Sequence, residues 1–299
     1  MFTFKKKVKE GYYMKIDLLN EINRKMPYLS KGQRAIAGYI CDHYEKAAYM
    51  TASKLGEEVN VSESTVVRFA NEFGFEGYHQ LQSALRELTR NQLKSFQRME
   101  FTNRLFGEGD VIETRLLADV ENIKQTLEKI DKNAFSLAVD KIVNAKNIYI
   151  MGVRSSSMLA GYLNFSFRMI FDGVKLVQTT SSSEMFEEIM RIGEDDVMIA
   201  ISFPRYSKRI VNAVNYAKQR GADIIALTDS FDSPIAYQAD QVLLARSEMA
   251  SFVDSLVAPL SVINALVMAV AQKKQTELTE RLKELEGIWS EYEVYDTKQ

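Results

Sequence analysis

The chain has 299 residues, 46% of them hydrophobic, and a formal net charge of −2 at pH 7. This length is about twice that of a usual domain and the apolar content is ample for cores, so composition predicts two globular domains. A single cysteine, Cys41, excludes an internal disulfide, and its place in an apolar helical run indicates a buried thiol in a reducing cytoplasm.

Charge is spread unevenly along the chain. Residues 1–100 carry 16 Lys and Arg against 12 Asp and Glu, a balance of +4, whereas residues 101–299 carry 22 against 28, a balance of −6. A modest positive excess suits a domain that neutralises a few phosphates, with an affinity that depends on salt and on dimerisation.

Neither the first residues nor the most apolar run of the sequence has the pattern of a membrane segment. Residues 1–13, MFTFKKKVKEGYY, have lysines without a following apolar stretch, which predicts a disordered arm rather than a signal peptide. A basic arm that touches DNA is the less favoured alternative. The most apolar run, 256–271, is interrupted by Pro259 and Asn264 and is too short to cross a bilayer of about 30 Å, so it is expected in a core or a subunit interface. These features predict a cytoplasmic protein without membrane contact.

Residues 50–81 have the spacing of two short helices joined by a tight turn. Thr51 can cap the first helix, whose inward face is Ala52, Leu55 and Val59, and Gly56 lies where another backbone must come close. Asn60-Val61 makes the turn. Ser62 can cap the second helix, which buries Val66, Phe69, Ala70 and Phe73 and ends at Gly74 in a left-handed conformation.

The outward face of the second helix carries Ser62, Ser64, Thr65 and Arg68. Short hydroxyl side chains near a helix N-terminus, together with an arginine, are the groups that contact base edges and phosphates in the DNA major groove. By periodicity alone, a solvated helical hairpin is an equally good interpretation.

The motif V-S-E-S-T-V-V-R-F, followed by G-F-E-G-Y, resembles the N-terminal helix-turn-helix domain of RpiR/MurR-type bacterial transcriptional regulators over residues 14–90. The resemblance implies a recognition helix over 62–73, with Ser62, Ser64, Thr65 and Arg68 at or near DNA. Upstream, L-S-K-G-Q resembles the start of another helix of that domain. There Lys31 and Gln33 could contact phosphate, although an ordinary helix cap is the alternative.

After a predicted helical linker, 91–125, the rhythm changes to strands alternating with helices. Residues 110–130 have an amphipathic helical pattern, and unbroken apolar runs typical of buried parallel strands follow from residue 148. The alternation predicts a doubly wound parallel sheet covered by helices on both faces. The predicted strands are 148–152, 174–177, 197–201, 224–228 and 242–245, and the predicted helices between them are 155–171, 183–192 and 208–220.

Hydroxyl groups crowd three loops that follow strands of this sheet. Ligands of such sheets lie at the carboxyl ends of the strands, where free N–H groups at helix starts stabilise a phosphate. For each loop taken alone, an ordinary helix cap is the alternative interpretation. The candidate anion-binding residues are Arg154, Ser155, Ser156 and Ser157 after the first strand, Ser181 and Ser182 after the second, and Ser202, Arg205, Tyr206 and Ser207 after the third.

This region resembles a SIS, or sugar isomerase, domain over residues 130–272, which implies a flavodoxin-like fold that binds sugar phosphates. We expect that domain over 126–272 and a helical tail over 273–299. Gly152, Ser156 and Ala160 match the family's glycine, serine and alanine, and Ser202 and Ser207 match two hydroxyl positions of its phosphate loop.

Two positions depart from the SIS pattern. Arg154 stands where a small residue is common, and Pro204-Arg205 stands where Ser-Gly is common. Added guanidinium groups favour a ligand that has phosphate or carboxylate groups, including a ligand with more than one acidic group. The alternative is that these arginines pair with Glu184, Glu187 or Glu188 across the pocket mouth.

An enzyme is the competing class, because related SIS domains isomerise sugar phosphates. Both histidines, His43 and His79, lie in the DNA-binding part, and the second domain also lacks cysteine, so metal sites built on those ligands are excluded there. Glu184 or Glu187 could act as a base, with Glu248 or Asp254 near the pocket.

A dimerisation scaffold with an empty pocket is a third interpretation. The favoured prediction is a dimeric or tetrameric regulator without a cofactor or a catalytic residue. It binds double-stranded operator DNA and senses an anionic sugar-phosphate-like effector; whether the effector strengthens or weakens DNA binding is left open by the sequence.

Overall fold

A computed structural model describes residues 11–92, 98–99, 110–179, 181–248 and 253–295. The chain divides into two compact units, Met1–Glu100 and Phe101–Gln299. Of the predicted N-terminal arm, residues 1–10 lie outside the described residues, while Gly11, Tyr12 and Tyr13 begin the first helix. Helices cross the predicted domain boundaries at 90/91, 125/126 and 272/273, and those boundaries stay predictions.

The first unit is all helical in its described residues. Buried side chains of its helices, among them Ile36, Ile40, Phe69 and Leu85, share one hydrophobic core. The helices are α1 (Gly11–Lys25), α2 (Lys31–Ala47), α3 (Ala52–Glu58), α4 (Glu63–Glu72) and α5 (Tyr78–Gln92), with a 3-10 turn at Met26–Tyr28.

The predicted helix-turn-helix is confirmed, with its Thr51 cap, Gly56 contact and Asn60 turn as expected, whereas Phe73, predicted to be buried, is half-buried. Thr51 caps α3 by accepting a hydrogen bond from the Lys54 amide at 3.2 Å. A Cβ added to Gly56 would lie 2.7 Å from the Val61 carbonyl oxygen, so the turn requires glycine there. Asn60, at φ +53°, turns the chain between α3 and α4, and Gly74, at φ +80°, follows the end of α4.

A polar clamp from α5 holds the turn between α2 and α3. The Tyr78 hydroxyl donates to the Ala47 and Met50 carbonyls at 3.1 and 3.0 Å, and Arg86 Nε donates to the Ala48 carbonyl at 3.0 Å. Burial raises the pKa of Tyr78 to about 12, with Arg86 opposing the rise. The tyrosine of the G-F-E-G-Y motif therefore fixes the packing of the helix-turn-helix.

The second unit contains the predicted parallel sheet. Its strands pair in the order β2-β1-β3-β4-β5, all parallel, with Ile148 of β1 beside Val174 of β2 and Val197 of β3. The strands are β1 (Ile148–Gly152), β2 (Val174–Val177), β3 (Val197–Ile201), β4 (Asp223–Thr228) and β5 (Gln241–Leu244). The helices are α6 (Val111–Lys129), α7 (Lys132–Asn144), α8 (Ser156–Arg168), α9 (Ser182–Ile189), α10 (Lys208–Gln219), α11 (Val257–Lys273) and α12 (Gln275–Glu291).

Helices cover both faces of this sheet, because successive strand residues point to opposite sides. Ile150 and Ile199 join the core formed with α7, α8 and α11, whereas Met151 and Met198 join the core formed with α9 and α10. The two-sided burial explains the unbroken apolar runs in the sequence. Helix α9 ends at Ile189, three residues before its predicted end.

None of the helices in the described ranges is long and apolar enough to cross a membrane.

Candidate functional sites

The first candidate site is a surface depression of about 450 Å³ where α2 and α4 begin. The two helix starts approach closely because Gly32 lacks a side chain: an added Cβ would lie 3.3 Å from Val61 Cγ1 and 3.5 Å from Thr65 Cγ2. The structure thus brings predicted DNA-binding residues from two helices to one place. The lining residues are Ser30, Gly32, Gln33, Val61, Ser62, Thr65 and Arg68.

Hydroxyl groups cluster at the start of α4. Ser62 occupies the N-cap position as predicted, but its side chain does not cap the helix. Its Oγ instead lies 2.9 Å from both Ser64 Oγ and Thr65 Oγ1. The helix start therefore presents amide N–H groups without a side-chain cap, next to three hydroxyls, an arrangement suited to phosphate or base contacts.

Arg68 lies folded along the exposed face of α4. Its Nε donates to the Ser64 carbonyl at 3.3 Å and one terminal nitrogen lies 3.5 Å from Thr65 Oγ1. These contacts use part of a guanidinium that has five N–H donors. Arg68 can therefore extend from the helix toward DNA while its stem stays in place.

Lys31 and Gln33 lie in the first turn of α2. Gln33 forms a capping box with Ser30. The Gln33 side-chain Oε1 accepts from the Ser30 backbone amide at 3.1 Å, and the Gln33 backbone amide donates to Ser30 Oγ at 3.4 Å. Gln33 thus has the helix-cap role given as the alternative, while its side-chain Nε2 keeps two N–H donors for another contact. Lys31 is exposed and lies outside the residues that line the depression.

The second candidate site lies at the carboxyl ends of β1 and β3. These neighbouring strands lead into helices on opposite faces of the sheet, α8 and α10, so the strand order reverses between them. Ligands of doubly wound sheets bind at this topological switch point. Both arginine-containing loops predicted from the sequence start there.

Gly152 closes β1 directly against the start of α8. An added Cβ would lie 2.2 Å from the Ser156 carbonyl oxygen and 3.1 Å from the Ala160 Cβ, which no side chain allows. This contact gives a physical reason for the glycine, serine and alanine positions that resemble the SIS pattern. It also fixes Ser156 at the end of the strand.

Two mostly buried serines of this site have hydroxyls without a hydrogen-bond partner among the described residues. Ser156 is 4% exposed and Ser202 is 3% exposed. Neither side chain has a hydrogen bond to the part of the chain that the structure describes. Neither oxygen is among the buried unpaired side-chain atoms of the described residues, so both hydroxyls keep access to solvent and are available to a ligand at the switch point.

Arg154 and Arg205 both adopt the left-handed backbone conformation, at φ +59° and +66°. For a residue other than glycine this costs about 1–2 kcal/mol, and such strain is typical of binding sites. Both residues are exposed, and among the described residues the Arg154 guanidinium has no ion-pair partner. The left-handed backbone explains why glycine suits position 205 in related loops.

The other serines and the tyrosine of these two loops have local roles. Ser155 is the N-cap of α8 without a side-chain cap bond, and Ser157 Oγ donates to the Arg154 carbonyl at 2.6 Å. Ser207 caps α10 by accepting from the Arg209 amide at 3.3 Å. Tyr206 donates to Asp229 Oδ1 at 2.8 Å, a contact with the loop after β4 that the sequence did not suggest.

The loop after β2 is held by its own residues. Ser181 Oγ lies 2.7 Å from Ser183 Oγ, while Ser182, the first residue of α9, is exposed. The Thr179 hydroxyl is hydrogen-bonded to the Glu184 carboxylate, and the Arg209 guanidinium donates to the Thr179 carbonyl at 2.8 Å. Arg209 therefore joins this loop to the start of α10.

Of the acidic groups considered for catalysis, Glu184 and Glu248 are engaged in structural contacts, whereas Glu187 is exposed and its side chain has no hydrogen bond or ion pair within the described residues. Glu188 accepts from the Gln178 amide at 3.3 Å, and Glu248 is paired with Arg246 in the loop after β5. Within the described ranges there is no group of three or more His, Cys, Asp or Glu side chains that could hold a metal ion.

Another cleft, of about 320 Å³, lies at the amino ends of β3 and β4. Carboxylates dominate its lining, and Lys141 is already paired with Asp223 at 2.5 Å. Its negative charge opposes an anionic ligand, so we place the anion site at the opposite edge of the sheet.

A helix-turn-helix unit followed by a doubly wound sheet domain defines a two-domain DNA-binding protein class. The helix-turn-helix domain model of the rpiR family matches residues 16–92, and the SIS domain model matches residues 141–269. The chain belongs to the RpiR family of transcriptional regulators.

The relatives of this chain are also named as transcriptional regulators. An HTH-type transcriptional regulator of Clostridium perfringens is 25% identical over 84% of this chain and 91% of that protein. The regulator HexR of Escherichia coli is 25% identical over 92% of this chain and 95% of that protein.

Solved structures share the fold. The sugar isomerase domain of an RpiR transcription factor from Sphaerobacter thermophilus is 28% identical with a TM-score of 0.55, covering 58% of this chain and 96% of that one. The Vibrio vulnificus NanR protein, solved with ManNAc-6P, is 22% identical with a TM-score of 0.56, covering 92% of this chain and 98% of that one.

Proposed function

We propose that this chain is a DNA-binding transcriptional regulator whose SIS domain binds an anionic sugar-phosphate-like metabolite and thereby changes operator affinity. The observation that carries the effector half is the pair of mostly buried serines, Ser156 and Ser202, at the switch point of the sheet, whose hydroxyls have no hydrogen-bond partner among the described residues. A ligand shifts DNA affinity only by its different affinity for the two states of the protein. Experiment must therefore determine whether the effector strengthens or weakens operator binding.

The DNA half of the proposal rests on the depression between α2 and α4. Lys31, Gln33, Ser62, Ser64, Thr65 and Arg68 are the proposed contact residues. Side chains of this kind at the start of a recognition helix reach base edges, and the neighbouring helix start reaches the backbone phosphates. A two-fold assembly predicts an inverted-repeat operator whose half-sites lie about one helical turn, or a multiple of it, apart.

Arg68→Ala tests the DNA half. If Arg68 contacts guanine or a tightly held phosphate, operator binding should weaken by about 1–3 kcal/mol, which is roughly 5- to 150-fold. Arg24→Ala, which removes an exposed arginine of α1 outside the depression, is the matched control. Anisotropy titrations at moderate salt would contradict the assignment if the two variants bound the operator equally well with intact circular dichroism spectra.

Ser202→Ala tests the effector half. Because the Ser202 hydroxyl has no hydrogen-bond partner among the described residues, the variant should keep the stability of the wild type while losing a ligand hydrogen bond of about 0.5–1.5 kcal/mol. Calorimetry with a panel of phosphorylated sugars and phosphorylated sugar acids measures the loss. ManNAc-6P belongs in that panel because the NanR protein, which shares this fold, was solved with it. Unchanged ligand affinity together with lower stability would make Ser202 a structural residue.

The enzyme alternative has a direct test. Proton transfer on a sugar needs a positioned acid or base. The second unit lacks histidine, Glu184 is hydrogen-bonded within its own loop, and Glu187 is exposed. We expect no conversion of aldose or ketose phosphates. Turnover that vanishes in Glu184→Gln or Glu187→Gln would show an enzyme instead.

A further inference from the structure

The loop after β3 is anchored on the side that precedes Arg205. The Ser202 amide donates to the Leu227 carbonyl of β4 at 3.1 Å, and Phe203 is packed in the core. Pro204 is buried, and its ring fixes its own φ. The chain is therefore held in place up to the residue before Arg205.

The backbone of Arg205 is strained, at φ +66°. A residue other than glycine keeps such a conformation only where the surrounding structure holds it in place. Pro204 restrains the chain before Arg205, so the conformation needs a second restraint after it. The residue at that position is Tyr206.

Tyr206 is anchored to the neighbouring strand. Its hydroxyl donates to Asp229 Oδ1 at 2.8 Å. Asp229 directly follows β4, an inner strand of the sheet, and the last residue of that strand, Thr228, is buried and accepts from the Ala245 amide at 2.8 Å. The acceptor is therefore fixed to the sheet, and a hydrogen bond to a carboxylate is stronger than one between neutral groups.

We infer that Tyr206 and Asp229 form a strut that positions Arg205 for an anionic ligand, and that Tyr206 acts through Arg205 rather than by its own contact with the ligand. The inference rests on the proposed effector site and adds a positioning residue, Asp229, that the sequence did not suggest. At the edge of the sheet where an anion binds, a carboxylate opposes binding by repulsion. Its use as the acceptor for Tyr206 gives a reason for its presence there.

Hydrogen exchange tests the strut without a ligand. Tyr206→Phe and Asp229→Ala each remove the hydrogen bond, so peptides that span 202–209 should exchange faster than in the wild type. Asp229→Asn keeps an acceptor oxygen on a side chain of the same shape, and its exchange should stay close to that of the wild type. Equal exchange in the wild type, Tyr206→Phe and Asp229→Ala would overturn the inference.

Tyr216→Phe is the matched control. It removes another tyrosine hydroxyl of the same domain, in α10, which donates to the Met190 carbonyl at 3.3 Å. Exchange in 202–209 should stay as in the wild type. If this variant accelerated exchange there as much as Tyr206→Phe does, the effect would be a general loss of stability and the strut would be refuted.

Ligand affinity separates positioning from direct contact. Calorimetry of the full chain uses inorganic phosphate, glucose-6-phosphate and 6-phosphogluconate as probes. For a probe that the wild type binds, Tyr206→Phe should weaken binding about fivefold to tenfold, and by no more than Arg205→Ala does. In an Arg205→Ala background, Tyr206→Phe should change the affinity by less than about twofold, because its effect passes through the missing guanidinium.

Asp229→Asn should restore most of the affinity that Asp229→Ala loses, because it keeps the acceptor for Tyr206. An equal loss from Tyr206→Phe in both backgrounds would show that Tyr206 contacts the ligand directly, and no loss in either would show a role in stability alone. Either result would overturn the inference. A wild type that binds none of the three probes would count against the proposed function, and the exchange experiment would then decide by itself whether the strut holds the loop.

Discussion

Gly56→Ala should distort the start of helix α4, the proposed recognition helix. The new methyl would lie 2.7 Å from the Val61 carbonyl oxygen and 3.4 Å from the Ser62 carbonyl carbon. An ordinary contact begins near 3.4 Å, so the turn that carries Ser62 must move by about 0.7 Å. Overpacking of this kind costs about 1–3 kcal/mol, and the better helix propensity of alanine offsets at most about 1 kcal/mol of it.

Gly38→Ala is the matched control, because Gly38 lies inside α2 and an added Cβ meets nothing within 4 Å. It should raise the free energy of unfolding by about 0.5–1 kcal/mol and leave operator affinity unchanged. Urea unfolding and operator titrations are made on both variants. If Gly56→Ala were as stable as Gly38→Ala and bound the operator as tightly as the wild type, the proposed role of the α3–α4 turn would be refuted.

Two further predictions concern the sheet domain and the polar clamp. Gly152→Ala should destabilise the second unit by several kcal/mol, because its methyl would lie 2.2 Å from a backbone oxygen. The control is Gly161→Ala in helix α8, where an added Cβ meets nothing within 4 Å, so this variant should be neutral or stabilising. Thermal unfolding compares the two variants. Since the pKa of folded Tyr78 is about 12, above its ordinary 10, the folded state holds this proton more tightly, and the free energy of unfolding should fall as pH rises from 10 to 12. Tyr78→Phe should remove that part of the pH dependence. If the free energy of unfolding of the variant, measured with urea, fell as steeply as that of the wild type between about pH 10 and about pH 12, the prediction would be wrong.

The sheet could be predicted from the sequence because its strands are buried on both faces. Runs such as 148–152 and 197–201 are apolar at every position, and this pattern is typical of parallel strands with helices on both sides. The hydroxyl-rich loops follow from the same reasoning, since parallel strands direct all their carboxyl ends to one edge.

Contacts between distant segments could not be predicted in this way. The left-handed backbone of Arg154 and Arg205 is one such feature, because arginine itself disfavours this conformation. The Tyr78 clamp depends on carbonyls about thirty residues away. Periodicity predicted helix α6 correctly, yet gave no sign that Leu116 and its neighbours face outward, since an apolar stripe looks the same in a core and in a subunit interface.

The most direct test of the account is an operator titration with and without phosphorylated sugars, made on the wild type and on Arg205→Ala. We expect at least one phosphorylated sugar or sugar acid to change the operator Kd of the wild type. A charge-assisted hydrogen bond contributes about 1.5–3 kcal/mol, so Arg205→Ala should need about tenfold to a hundredfold more of that ligand, with unchanged operator affinity in its absence. An operator Kd that no anionic ligand changes, or that neutral sugars change equally well, would contradict the account.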